Sequence, residues 1–222
     1  EAAKNGAVKL MEFILRTSYD MNTQDNVGKR ALHWACINGE TETVNLLIES
    51  SKDSDIDLNA KDGSIGQTAL HWACKGGSTE TAQLIIESSK DFNIDLNAKD
   101  NGGNTAWHLT CRDGRTETAQ LIMQSSKNFD FDLNAKNVYG WTAWHLACIQ
   151  GQGKTETSKI IIQSSKDFDI DLNAKDNYER TTWHWVGIYG RTEIAQIIIQ
   201  CSKDFSIDLN AKDVDGMTAL HM

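Results

Sequence analysis

Proline is absent from the 222 residues, so no turn or helix start in this chain rests on a ring-fixed φ. Basic side chains are in deficit. Against 31 Asp+Glu stand 22 Lys+Arg, a formal net charge of -9, and that balance excludes nucleic acid and an anionic membrane surface as natural partners. No apolar run approaches the roughly 20 residues that cross a bilayer. The longest are of the kind Ile160-Ile161-Ile162, closed by Gln163, so no membrane insertion is expected. An opening of Glu1-Ala2-Ala3-Lys4 carries no secretory signal. Also missing are an Asn-x-Ser/Thr acceptor, a Gly-rich phosphate loop, a nucleophile elbow and HExxH.

What is present is a period. With 40% hydrophobic residues the chain can bury a sizeable core, and its six histidines recur in one context. His33, His71, His108, His145, His184 and His221 are separated by 38, 37, 37, 39 and 37 residues. The asparagines of DLNAKD keep the same beat at Asn59, Asn97, Asn134, Asn173 and Asn210, with Asn22 in DMNTQD. Each Asn precedes its His by 11 residues, or by 12 between Asn59 and His71, where one residue is added in the turn. The 39-residue interval reflects two extra residues in Gly151-Gln152-Gly153-Lys154. The chain therefore reads as one array over residues 1–222: a partial unit 1–22, units beginning near 23, 60, 98, 135 and 174, and a partial unit 211–222.

Each unit has a physical reading. A threonine (Thr68, Thr105, Thr142, Thr181, Thr218) precedes a short apolar segment and can accept a bond from the unpaired amides of a starting helix. That helix ends at Gly39, Gly77, Gly114 or Gly190. A second starts at Thr-Glu, as in Thr79-Glu80, with the acid where the helix dipole favours it. Ala82, Ile85 and Ile86, flanked by Leu84, give it one buried face. Phe92, Ile94, Leu96 and Ala98 then alternate with polar residues, which predicts an extended segment. An Asp-x-x-Gly turn such as Asp100 to Gly103 leads into the next unit.

These residues carry a resemblance. QTALHWAC (Gln67 to Cys74), WTAWHLAC (Trp141 to Cys148) and MTALH (Met217 to His221), with DLNAKD before each turn, resemble the T-P-L-H-x-A helix and the hairpin of ankyrin repeats. The resemblance covers nearly the whole chain. It implies an all-α repeat solenoid of stacked antiparallel helix pairs joined by short β-hairpin turns. Three departures stand out. Ala or Thr (Ala69, Ala106, Ala143, Thr182, Ala219) replaces the family's Pro, at little risk to the helix. The unit is about 37 residues rather than about 33, because SSKDF (Ser88 to Phe92) lengthens the end of the second helix. Glu179 stands where other turns have Gly, and so requires a distorted turn or a residue at positive φ. Neither end of the array looks capped, so a longer array, or head-to-tail contact between copies, is expected.

The recurring His-x-x-Cys (His33/Cys36, His71/Cys74, His108/Cys111, His145/Cys148) invites a dyad or a metal site, since i and i+3 share a helix face. Spacing opposes the metal. Stacked helices lie roughly 8–10 Å apart, whereas zinc needs four ligands at about 2.0–2.3 Å. The recurrence has another account, in which His beside Thr ties one unit to the next while Cys fills a small buried slot. No catalytic residue, metal or cofactor is expected. The five cysteines read as free thiols, four of them too far apart to pair, which favours a reducing, cytoplasmic setting. Asn97 and Asn134 resemble asparagines hydroxylated in some ankyrin repeats.

Residues repeated in every unit are explained by the fold, so function belongs where units differ. The turn tips and the ends of the first helices vary, and in ankyrin-repeat proteins such positions line the concave partner groove. The candidate partner-binding residues are Tyr139, Trp141, Ile149, Gln150, Tyr178, Arg180, Ile188 and Tyr189, with Asn104 and Arg112. Tyr, Trp and Arg are the side chains that most often carry interface energy. Trp34, Trp72, Trp107, Trp144, Trp183 and Trp185 flank the recurrent histidine and are expected in the core. The expected function is a non-catalytic scaffold for a protein partner of basic or mixed charge. The alternative is a structural array that stacks on itself or acts as a spacer.

Overall fold

The computed structural model describes residues 8–9, 11–12, 14, 19–149 and 155–222. Ten α-helices follow in pairs. The first members are α1 (Ala31–Asn38), α3 (Ala69–Gly76), α5 (Ala106–Arg112), α7 (Ala143–Ile149) and α9 (Thr182–Ile188). The second members are α2 (Thr41–Ser50), α4 (Thr79–Phe92), α6 (Thr116–Ser125), α8 (Thr155–Ser164) and α10 (Thr192–Cys201), and a 3-10 turn, Ala219–His221, follows. First helices pack on first helices in chain order, second on second, and each first helix on its own second. Each unit thus touches only its neighbours, as a solenoid requires. The start of the partial unit 1–22 and the insertion Gly151 to Lys154 lie outside the described residues.

The first helices start as the threonines predict, with a partner the sequence reading did not name. Nδ1 of His71 accepts the backbone N–H of Thr68 at 3.2 Å and lies 2.8 Å from its Oγ1, so His takes the place that Glu holds in a capping box. The same geometry recurs at Thr105/His108, Thr142/His145 and Thr181/His184. The far nitrogen reaches the next unit. Nε2 lies 2.9 Å from the carbonyl of Asn104 for His71, 3.0 Å from that of Trp141 for His108 and 3.1 Å from that of Met217 for His184. A carbonyl only accepts, so Nε2 carries the proton and Nδ1 is the acceptor. His33 also reaches the next unit, but at the carbonyl of Ala60, ahead of Gln67, the counterpart of Asn104 in that turn.

The helix ends follow the glycines. Gly77 at φ 78° closes α3, its N–H on Cys74 O, while Ser78 N–H reaches Ala73 O; an L side chain pays a steric cost in that region. Glu179 adopts φ 59°, the positive value its place in the turn demanded.

Two expectations need correction. The hairpins are turns rather than strands. Each is closed by one main bond, such as Asp100 N–H to Asn104 O at 2.8 Å, and among the described residues the single β-bridge joins Lys175 and Thr181. The arms lie beside the neighbouring turns instead of pairing along one another: Asn101 N–H bonds Ile65 O, and Val138 N–H bonds Gly102 O. Second, SSKDF extends the helix only in α4; in the other units it forms a turn after the helix.

Along that outer edge each unit grips the next by the same side chains. Asn97 donates Nδ2 to Asp130 O at 2.6 Å and accepts from Asp132 N–H at 2.9 Å. Asn22, Asn59, Asn134 and Asn173 repeat both bonds. Lys52, Lys90, Lys127 and Lys166 stand over Phe92, Phe129, Phe168 and Phe205 of the following unit at 4.8, 4.9, 4.8 and 5.2 Å. The extension absent from shorter repeats is therefore a row of cation–π contacts between units.

Candidate functional site

The opposite face is built by turn tips and first helices. Each tip is held by an acid at its start, or in one unit by the amide of Asn137. Asp176 Oδ1 accepts the N–H of Tyr178 and of Arg180, and Asp25, Asp62, Asp100 and Asp213 take the corresponding amides of their own turns. These bonds hold the carboxyls of Asp25, Asp62 and Asp213 below the usual carboxylate range despite desolvation.

The second oxygen of the same acids decides where tryptophans lie. Trp34, Trp72 and Trp185, each one residue after the histidine, donate Nε1 to Asp25, Asp62 and Asp176 at 2.9, 2.9 and 2.8 Å. Trp34 is 45% exposed, and Trp72 and Trp185 are half-buried, which corrects their assignment to the core. Trp107, Trp144 and Trp183, one residue before the histidine, are buried as expected. Where Leu109 or Leu146 follows the histidine, the smaller side chain is buried beneath its turn. Trp is too large for that slot and lies along the surface.

In the last two full units the exposed rings join. Tyr139 stands 5.4 Å from Trp141, Trp141 meets Trp185 edge-on at 5.2 Å, and Trp185 stacks on Tyr189 at 5.8 Å. The Arg180 guanidinium lies 5.6 Å from both Tyr178 and Trp185 and bonds Asp213 through Nε at 3.1 Å. Tyr139, Trp141, Tyr178, Arg180 and Tyr189 are thus gathered by Trp185, which the sequence reading placed elsewhere. Ile188 is exposed at its edge.

The other candidates separate from this row. Ile149 is buried and is corrected to a packing residue. Gln150 lies outside the described residues. Asn104 bonds Asp100 and accepts from Asn137 in the middle of the stack, and Arg112 pairs there with Asp113 through two nitrogens.

The His and Cys sets show no nucleophile chemistry. Both ring nitrogens of His71 and His108 are engaged, and burial pushes the His108 and His145 rings down to about 4. Burial pushes Cys74 up to about 12 and Cys36, Cys111 and Cys148 upward as well, the reverse of what a reactive thiolate needs. Among the described residues no group of three or more His, Cys, Asp or Glu could hold a metal ion, and no helix is long and apolar enough to cross a membrane.

A family model described as ankyrin repeats (3 copies) matches residues 1–100 and again 92–176. Among solved structures the chain is similar to the crystal structure of the ankyrin repeat domain of Bcl-3, described as a unique member of the IkappaB protein family. The TM-score is 0.77 at 20% identity, over 98% of this chain and 87% of that one. At that identity the likeness is one of fold.

Proposed function

Because the chain belongs to the ankyrin-repeat family, whose members are generally protein–protein interaction scaffolds, we propose that it binds a protein partner on its turn-tip face, centred on Tyr139, Trp141, Trp185 and Tyr189. Tyr178, Arg180 and Ile188 border that centre. The observation that carries this reading is the continuous row of partly exposed rings. No core contact requires an aromatic there, since other units of the same stack manage without one. The surface is preformed: rings are oriented by Asp176 and by one another, so little ordering entropy is lost on binding. The chemistry is recognition without catalysis.

Affinity capture from a cell extract tests it. The double variant Trp141→Ala/Tyr178→Ala is expected to lose the proteins retained by the unchanged chain while keeping its helical circular dichroism. Equal retention by both counts against the face. Light scattering tests the self-stacking alternative: a monomer at every concentration removes it.

A further inference from the structure

The acidity of the chain is not shared by what its turn-tip face offers to a ligand. Lys29, Lys75, Arg115 and Arg191 lie there, and none of the four makes an ion pair among the described residues. Lys29 Nζ stands 4.7 Å from the centre of the Trp72 ring and Lys75 Nζ 4.5 Å from it, so two ammonium groups share one indole, and the nearby Asp25 carboxylate balances only Lys29. Arg115 spends Nε on the carbonyl of Lys75 at 2.9 Å, and Arg191 spends its own on Ile149 at 2.9 Å. Among the described residues their terminal nitrogens make no hydrogen bond or ion pair. Trp72, Lys75 and Arg115 line a cleft of about 270 Å³ with Ile37, Gly76 and Asp113.

Most acids of the same face are already engaged, the exposed Asp215 at the last tip being an exception. Asp25, Asp62 and Asp176 hold amides with one oxygen and an indole with the other. Asp213 holds Arg180, and Asp113 holds Arg112. Asp25 and Asp62 stay ionised, but with Asp113 they are three acids around Trp72 against the four cations Lys29, Lys75, Arg112 and Arg115, so a ligand there meets an excess of positive charge beside the rings.

We infer that the partner segment is an acidic peptide carrying apolar or aromatic anchors, its carboxylates on Lys29, Lys75 and Arg115 and its anchors on the Trp141–Trp185 row. This rests on the reading of the face as the partner surface, and it reverses the basic partner that net charge alone suggests. Three unit steps separate Trp72 from Trp185. At roughly 8–10 Å per step the two ends lie about 24–30 Å apart, a distance that an extended chain at about 3.3 Å per residue spans in roughly 7–9 residues. A short segment in the groove meets only these cations, whereas a long polyanion also meets the remaining surface, which carries the excess of acids.

The test is selection from a library of random peptides of about twelve residues on the full chain, with affinities of the selected peptides read by fluorescence anisotropy. Expected are peptides with Asp or Glu grouped toward one end and an apolar or aromatic residue about eight positions away. Lys75→Glu/Arg115→Glu, and independently Lys29→Glu/Lys75→Glu, should weaken them by about tenfold or more, with the effect shrinking as salt rises. Trp185→Ala should weaken them comparably. Selection of Lys- or Arg-rich peptides, or acidic peptides indifferent to both charge-reversal pairs, overturns the inference; if such peptides still lose affinity in Trp185→Ala, the face stands as the binding surface. Selected peptides indifferent to Trp185→Ala as well, or tighter binding of a single-stranded oligonucleotide, overturn both.

Discussion

On the outer edge of the stack, Lys52, Lys90, Lys127 and Lys166 meet four phenylalanines one unit on in one geometry, and five asparagines repeat one pair of bonds. On the turn-tip face, the residue after the histidine is Trp in three units and Leu in two, and the tips share almost nothing beyond their starting acid or amide. The cause is geometric. An edge residue touches the counterpart of its own neighbour, so a change in one unit breaks a bond made by the next. Neighbouring tips are joined in several places by backbone bonds, such as Asn101 N–H to Ile65 O, so a tip side chain can differ at small cost. Uniformity builds the stack, and difference marks the face proposed for recognition.

The histidine ties offer the largest way to break this comparison. His108 and His145 are neutral when folded, with Nδ1 accepting and the ring buried, and their values are pushed down to about 4 from an ordinary 6.5. Below about pH 6.5 the unfolded chain takes up protons that the folded chain refuses. Stability is therefore fully present above that pH and is lost as pH falls toward 4, on the order of 3 kcal/mol for each ring. Urea unfolding across this window should show the midpoint falling; a level midpoint would remove the neutral-tie account.

Next in size are the tryptophans on either side of those histidines. Trp107→Ala, in the core at 2% exposure, should cost about 3–5 kcal/mol in denaturant unfolding. Trp34→Ala, on the tip face, should cost under about 1 kcal/mol. Similar costs for both would erase the distinction between core and face.

A smaller contrast lies within one ladder. Asn97→Ala removes two bonds to the next unit and should cost about 1 kcal/mol, whereas Asn210, which makes no such inter-unit bonds among the described residues, should tolerate the same change nearly unaltered. Smallest is a gain. Glu179→Gly relieves a side chain at φ 59° and should stabilise by about 0.5–1 kcal/mol, less a few tenths for its exposed pair with Lys175. Paired thermal melts would register either sign.

Much of this was legible in the chain. The period, the helix starts at threonine and the stops at glycine are local properties, and Glu179 announced its own positive φ. The hairpins misled, because alternation of Phe92, Ile94, Leu96 and Ala98 reports which side faces inward and is silent on whether an arm finds a partner strand. The tryptophans misled for a related reason. Trp and His adjacent in a helix look equivalent on either side, yet residue i-1 turns into the stack, where Trp107 donates to Leu133 O at 3.1 Å, and residue i+1 turns to the tip. Arg112 and Asn104 looked available by position alone; Asp113, Asp100 and Asn137 had already claimed them.

By itself the sequence determined that this chain is a stack of like units, because repetition at a fixed interval demands that each unit bury its apolar face on the next. Only the tertiary structure decided which side chains remain for a partner. Exposure, the contact of Trp141 with Trp185 and the pairing of Arg180 with Asp213 depend on neighbours some 33 to 44 residues away, and no local pattern encodes which of those neighbours arrives first.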